Sequence, residues 1–283
     1  MSLGKVKVFS DSTCDLSPDL IEKHQIGIVP LYVLFNDETY RDGIDVTTPD
    51  LYKKVEEIGS LPKTAAPSPG DFFLAFKPYI DAGEDIIYIG ISSEFSVTVN
   101  NARLAAQEFP EGRIEVVDSR NLSTGIGLLV MRAVDFAAEG LDIHAIAEKV
   151  RALVPKVETE FIIDTLDYLH KGGRCNGLTL LVGSMLKIRP SIKVIDGKMV
   201  PAQKFRGSRQ KALKGLLDTV LAQKAQISPE RIFVTHSISD DAPFLRNQLL
   251  KRTDAQEVVI TQAGCVISSH CGINTIGILF IKK

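Results

Sequence analysis

The chain has 283 residues, 45% of them hydrophobic, enough for one large or two ordinary domains with a real core. Its 33 Lys and Arg nearly balance 35 Asp and Glu, so the net charge of −2 gives no electrostatic basis for nonspecific nucleic-acid binding. Cys14, Cys175, Cys265 and Cys271 form no CxxC pair, which argues against a metal site, and without a secretory leader they predict reduced thiols in a cytoplasmic protein.

Along the first half, apolar runs and helical repeats alternate. Strands are expected at Val6 to Ser10 and Ile28 to Phe35, and helices at Pro18 to His24, Pro49 to Ile58 and Gly70 to Ile80. Thr48-Pro49-Asp50 is a good helix start. A buried strand at Asp85 to Ile89 leads into a helix over Ser96 to Phe109, followed by a strand at Ile114 to Val117 and helices at Gly125 to Ala138 and Ile143 to Val154. This is the pattern of an α/β sheet with helices on its faces. Pro155 ends the last helix, and the boundary is placed near Lys156, giving an N-terminal α/β domain over 1–156 and a C-terminal α/β domain over 157–283.

Strands of the second unit are expected at Glu160 to Ile163, Ile192 to Ile195, Ile232 to Thr235, Val258 to Thr261 and Ile276 to Ile281. Asp196-Gly197 signals a hairpin turn, so this sheet is expected to be mixed rather than purely parallel. The apolar run from Leu178 to Leu186 is about half of the roughly 20 residues a spanning helix needs, so no bilayer span is expected.

The most suggestive polar stretch is Ser92, Ser93, Ser96 and Thr98, placed between a strand's carboxyl end and a helix's N-terminus. Unpaired N–H groups and a positive dipole end favour a carboxylate or phosphate there, whereas plain helix capping needs only one hydroxyl. Gly90-Ile91-Ser92-Ser93-Glu94 approaches the G-x-S-x-G nucleophile elbow but has Glu94 in place of the second glycine. Thr124-Gly125-Ile126-Gly127 begins like a dinucleotide fingerprint, yet Val130 stands where its third glycine is required. Asp11 to Asp15 reads as turn chemistry, and Thr64 is the hydroxyl to watch in the proline-fixed loop Lys63 to Gly70.

Taken in order, "DSTCDL", "KTAAPSPGDFF", "ISSEFSVTVNNA", "LHKGGRCN" and "SSHCGINTIG" resemble the DegV family of bacterial fatty-acid-binding proteins across essentially the whole chain. The resemblance implies two α/β domains of the DegV type with a ligand site between them. It implies a non-catalytic, lipid-binding subunit of fatty acid kinase. Such a subunit holds a long-chain fatty acid while a separate ATP-binding catalytic subunit phosphorylates the carboxyl group, and the acyl phosphate feeds phospholipid synthesis. Carried over residue by residue, it assigns carboxylate contacts to Thr64, Ser93 and His270, with Ser92, Ser96 and Thr98 as supporting polar groups. It assigns partner contact to Arg174 and Arg206. No cofactor or metal is implied on this chain, and at most transient membrane contact. Val97, Ala65-Ala66 and Ile273-Asn274 depart from the family pattern, which bears on backbone shape around the headgroup.

For the acyl tail, Phe161-Ile162-Ile163 and Leu178 to Ile188 are the segments expected to line its path, though both read equally well as core. Two other function classes are compatible with the residues alone. A serine-dependent lipid hydrolase would use Ser92 or Ser93 with His270 as base. An anion-binding regulatory module would use the hydroxyl cluster alone, against which stands the scarcity of Lys and Arg around the N-terminal motifs.

Overall fold

The computed structural model describes residues 5–174, Leu178 and residues 188–283. In chain order it begins with β1 (Val6–Asp11), α1 (Pro18–Lys23), β2 (Gly27–Val29), β3 (Tyr32–Phe35), β4 (Glu38–Arg41), α2 (Thr48–Ile58), β5 (Lys63–Ala65) and α3 (Pro69–Asp81). It continues with β6 (Asp85–Gly90), α4 (Thr98–Ala106), β7 (Ile114–Asp118), α5 (Thr124–Ala138) and α6 (Ile143–Leu153). The second half holds β8 (Val157–Ile162), α7 (Asp167–Lys171), β9 (Ile188–Ile195), β10 (Lys198–Arg206), α8 (Arg209–Leu221), β11 (Ile227–His236), α9 (Ala242–Arg252), β12 (Glu257–Gln262), α10 (Cys265–Cys271) and β13 (Ile276–Lys282).

A parallel sheet in the order β2-β1-β6-β7 forms the first layer. Ile86 to Ile89 of β6 are buried on both faces, which is why the strand reads as an unbroken apolar run. Phe9, Ile86 and Tyr88 pack against α3 and α4, whereas Val8, Ile87 and Ile89 point the other way, toward α5 and α6, as the two-residue period of a strand requires. The single strand expected over Ile28 to Phe35 is two. Pro30 lies between them, cannot donate to a ladder, and β3 turns off into a separate antiparallel sheet, β4-β3-β5. The helix expected from Ser96 starts at Thr98.

The six-stranded sheet has the order β10-β9-β8-β13-β11-β12, antiparallel except for the parallel β11–β12 pair, so it is mixed as the hairpin signal suggested. Asp196 and Gly197 both have positive φ, 50° and 81°, the backbone of a tight two-residue turn between β9 and β10. One face of this sheet packs on α8 and α9. Against the other lies α5, apolar almost all round because its opposite side is also covered by the parallel sheet: Phe233, Leu279 and Ile281 share one core with Ile87, Leu129 and Val130. The glycine pair that imitates a dinucleotide fingerprint serves this packing, since a Cβ on Gly127 would lie 2.9 Å from the Cys14 carbonyl oxygen. Among the described residues no helix is long and apolar enough to cross a membrane. Cys175, Arg174's neighbour, and most of the expected tail-lining run from Leu178 to Ile188 lie outside the described residues.

Candidate functional site: a cavity between the sheets

The chain runs from β1 to β2 on one side of the parallel sheet and returns to β6 on the other, so the crevice at the carboxyl ends of β1 and β6 is a topological switch point, where open α/β sheets bind ligands. A cavity opens there, enclosing about 900 Å³ between atoms, part of it continuous with solvent. Its N-terminal wall comes from β5, the β6–α4 loop and the start of α5; its C-terminal wall comes from β8, β13, the end of β11 and α10. Phe95, Leu122, Phe161, Leu169, Met199 and Leu279 make much of the lining apolar.

At this wall the small sheet meets α10. Thr64 on β5 and His270 on α10, 206 positions apart in the chain, are in direct contact, with Thr64 Oγ1 and His270 Nε2 2.9 Å apart. Burial, reinforced by the nearby Arg174 guanidinium, lowers the His270 pKa to about 4, so the ring is neutral at pH 7. Its Nδ1 is buried and has no hydrogen-bond partner among the described residues. With the proton on Nε2, the ring donates to Thr64 Oγ1 and leaves the threonine O–H to reach into the cavity. A carboxylate arriving there would favour the imidazolium form and gain a charge-assisted donor.

The four hydroxyls of the β6–α4 loop separate into distinct jobs. Ser92 is buried, and its Oγ donates to the Gly197 carbonyl, 2.9 Å away at the tip of the β9–β10 hairpin. Ser93 stands off the cavity lining, with its backbone N–H directed at the Asp118 carboxylate at 3.4 Å. Ser96 lies on the cavity wall, its Oγ 2.7 Å from Thr98 Oγ1, and Thr98 itself is fully buried. Val97 occupies the N-cap of α4 and makes no side-chain cap, while Ser96 Oγ accepts from the Thr98 N–H at 3.3 Å, so helix capping accounts for one hydroxyl of the cluster and not for the rest. The loop is fixed from below by Asp11, whose Oδ2 accepts from Tyr88 Oη at 2.7 Å and from the Ile91 N–H at 3.1 Å.

Arg174 is exposed and also lines the cavity, its Nη1 donating to the Gly172 carbonyl at 2.8 Å. Arg206 is exposed at the end of β10, opposite Ile188. A serine nucleophile finds no support in this geometry. Ser92 is committed to the hairpin, Ser93 is off the wall, and among the described residues His270 contacts a threonine and has no acidic partner on Nδ1. Of the expected tail-lining residues, Phe161 lines the cavity, while Ile162 and Ile163 belong to the core on either side of β8. Leu169, Met199 and Leu279 were not anticipated. Only Leu279 carried a signal, the continuous apolar run of β13.

The family model described as "Uncharacterised protein, DegV family" matches residues 5–283. A DegV domain-containing protein of Deinococcus radiodurans is 32% identical over 275 residues, covering 96% of this chain and 97% of its own. Among solved structures, a DegV family protein from Thermus thermophilus described for its fatty acid binding superposes with a TM-score of 0.92 at 32% identity, covering 99% of this chain and 100% of its own. DegV of Bacillus subtilis, described as a fatty acid binding protein, gives a TM-score of 0.86 at 26% identity, covering 99% and 100%.

Proposed function

The chain belongs to the DegV family, and from that premise we propose that it binds a long-chain fatty acid with the carboxylate at Thr64, Ser96 and His270 and the acyl tail in the cavity between the sheets. The observation that carries this reading is the Thr64–His270 pair on the wall of an otherwise largely apolar cavity. A chain of about 15 methylene and methyl groups gains on the order of 12 kcal/mol of gross transfer free energy, before ordering costs, so the tail supplies affinity. The hydroxyls and the imidazole supply orientation, because a carboxylate leaves water only where donors replace its hydration. Ser96 takes the place that the family resemblance gave to Ser93, since it is the hydroxyl of that loop that lines the cavity.

The chain is organised as two α/β units, residues 1–156 and 157–283, with the ligand between them. It is a cytoplasmic carrier rather than an enzyme acting alone, and it presents the carboxyl group to a separate ATP-dependent kinase subunit for acyl phosphate formation. Arg174, exposed and at the same time on the cavity lining, suits contact with that subunit or with the transferring phosphate, and Arg206, exposed at the end of β10, is the second candidate for that contact.

The test is calorimetric titration of oleate and of methyl oleate into delipidated wild type, Ser96→Ala and Ser93→Ala. Wild type should prefer the acid. Ser96→Ala should lose about 1–3 kcal/mol of acid affinity and Ser93→Ala much less. Equal binding of acid and ester by all three proteins removes the carboxylate site.

A further inference from the structure

Helix α10 carries His270 near its last turn, but what fixes the helix lies at its other end. The Gly264 N–H donates to Asp15 Oδ1 at 2.8 Å and the Cys265 N–H to Asp42 Oδ1 at 2.7 Å. Both carboxylates are buried, at 4% and 3% exposure, and neither belongs to the half of the chain that holds the helix. They close around one residue: a Cβ built on Gly264 would lie 3.2 Å from each Asp42 oxygen and 3.4 Å from Asp15 Oδ1.

The two aspartates reach α10 from different directions. Asp15 follows β1 and accepts a second hydrogen bond from Ser123 Oγ, 2.5 Å away at the start of α5. Asp42 follows β4, and its own N–H is bonded to the Leu31 carbonyl at the entry to β3. Thr64 pairs with Val33 of β3 in the same three-stranded sheet. Asp42 therefore ties the sheet that carries Thr64 to the helix that carries His270. Ordinary helix capping is met by an exposed Ser, Thr or Asp from the adjoining turn. Two desolvated carboxylates from remote segments are costly to bury, and Asp42 Oδ2 has no partner among the described residues. Burial raises the pKa of both groups, which measures the same cost.

We propose that Asp42, with Asp15, is a positioning residue for the carboxylate site, holding α10 so that His270 Nε2 meets Thr64 Oγ1 at the cavity wall. This rests on the fatty-acid reading above, and it extends the site to residues that touch no ligand. Loss of the Asp42 acceptor should let α10 shift along the sheet. The Thr64–His270 contact should then open, while the apolar cavity survives.

The experiment uses the full chain in three forms: wild type, Asp42→Asn, which keeps an acceptor oxygen for the Cys265 N–H, and Asp42→Ala, which does not. The first readout is the imidazole titration of His270 by heteronuclear NMR of unliganded protein. The second is the ratio of oleate to methyl oleate affinity. Wild type and Asp42→Asn should titrate near pH 4; Asp42→Ala should move by more than about one unit toward 6.5 and lose about tenfold in the acid-to-ester ratio. If Asp42→Ala melts earlier but keeps both the titration and the ratio of wild type, the aspartate is only a structural cap and the proposal falls. If wild type itself shows no preference for the acid, the carboxylate reading fails, and the titration alone then decides the positioning role. Should Asp42→Ala not fold, Asp15→Ala, which frees the Gly264 N–H, carries the same two readouts with the same deciding outcomes.

Discussion

Replacing His270 with Gln keeps an N–H near the position of Nε2 and removes the titrating ring. The pH dependence of stability should change in a way that can be worked out beforehand. In the folded chain the ring titrates near 4, against an ordinary value of 6.5. Between those values the unfolded chain binds the proton and the folded chain does not, so stability rises with pH through the window. The contribution is fully present above about pH 6.5 and is lost as pH falls toward 4. At 1.36 kcal/mol per unit, the loss amounts to at most about 3 kcal/mol. Asp11, Asp15 and Asp42 have raised pKa values and push the other way, losing stability as pH rises above the ordinary carboxyl range, but they are common to both proteins. The quantity to measure is the difference in unfolding free energy between wild type and His270→Gln, from urea titrations at intervals from pH 4 to 7.5. It should shift by about 3 kcal/mol in favour of the variant on going from pH 7 to pH 4. A flat difference across that range would mean that the ring is not held neutral against Thr64, and the electrostatic description of the site would be wrong.

Thr64→Val replaces the hydroxyl with a methyl of the same shape and leaves His270 Nε2 without its partner; denaturant melts should show a loss of about 1–3 kcal/mol, and the preference for oleate over its methyl ester should fall. Met199→Trp fills part of the cavity from the β9–β10 hairpin, so competition binding should shift preference from oleate toward dodecanoate with little change in headgroup selectivity. Arg174→Ala and Arg206→Ala should reduce acyl phosphate formation with the kinase subunit far more than fatty-acid affinity; equal losses in both would place these arginines in the lipid site instead.

The sheets were legible where burial writes a simple pattern. Asp85 to Ile89 reads as a strand because Ile86 to Ile89 form an unbroken buried apolar run, and Asp196-Gly197 reads as a hairpin because a positive-φ pair suits that turn. The small sheet was not legible. β4 (Glu-Thr-Tyr-Arg) is mostly exposed and β5 is three residues long, so neither carries a period, yet β5 supplies Thr64. The pairing of Thr64 with His270 depends on packing between segments 206 positions apart, which no local pattern encodes. The hydroxyl cluster was visible as a cluster, but its division was not: Ser92 is taken by the Gly197 carbonyl, and which serine faces the cavity follows from the bend of the β6–α4 loop. No local pattern singles out Asp42, because the Cys265 N–H that its carboxylate accepts from lies more than 200 positions away.

The central claim is that this chain carries a long-chain fatty acid, and native mass spectrometry of the gently purified protein tests it most directly. The account predicts a folded species heavier than the bare chain by one fatty acid, released by solvent extraction and restored by adding oleate to the delipidated protein. A single species at the mass of the bare chain, together with no saturable uptake of palmitate or oleate, would contradict it.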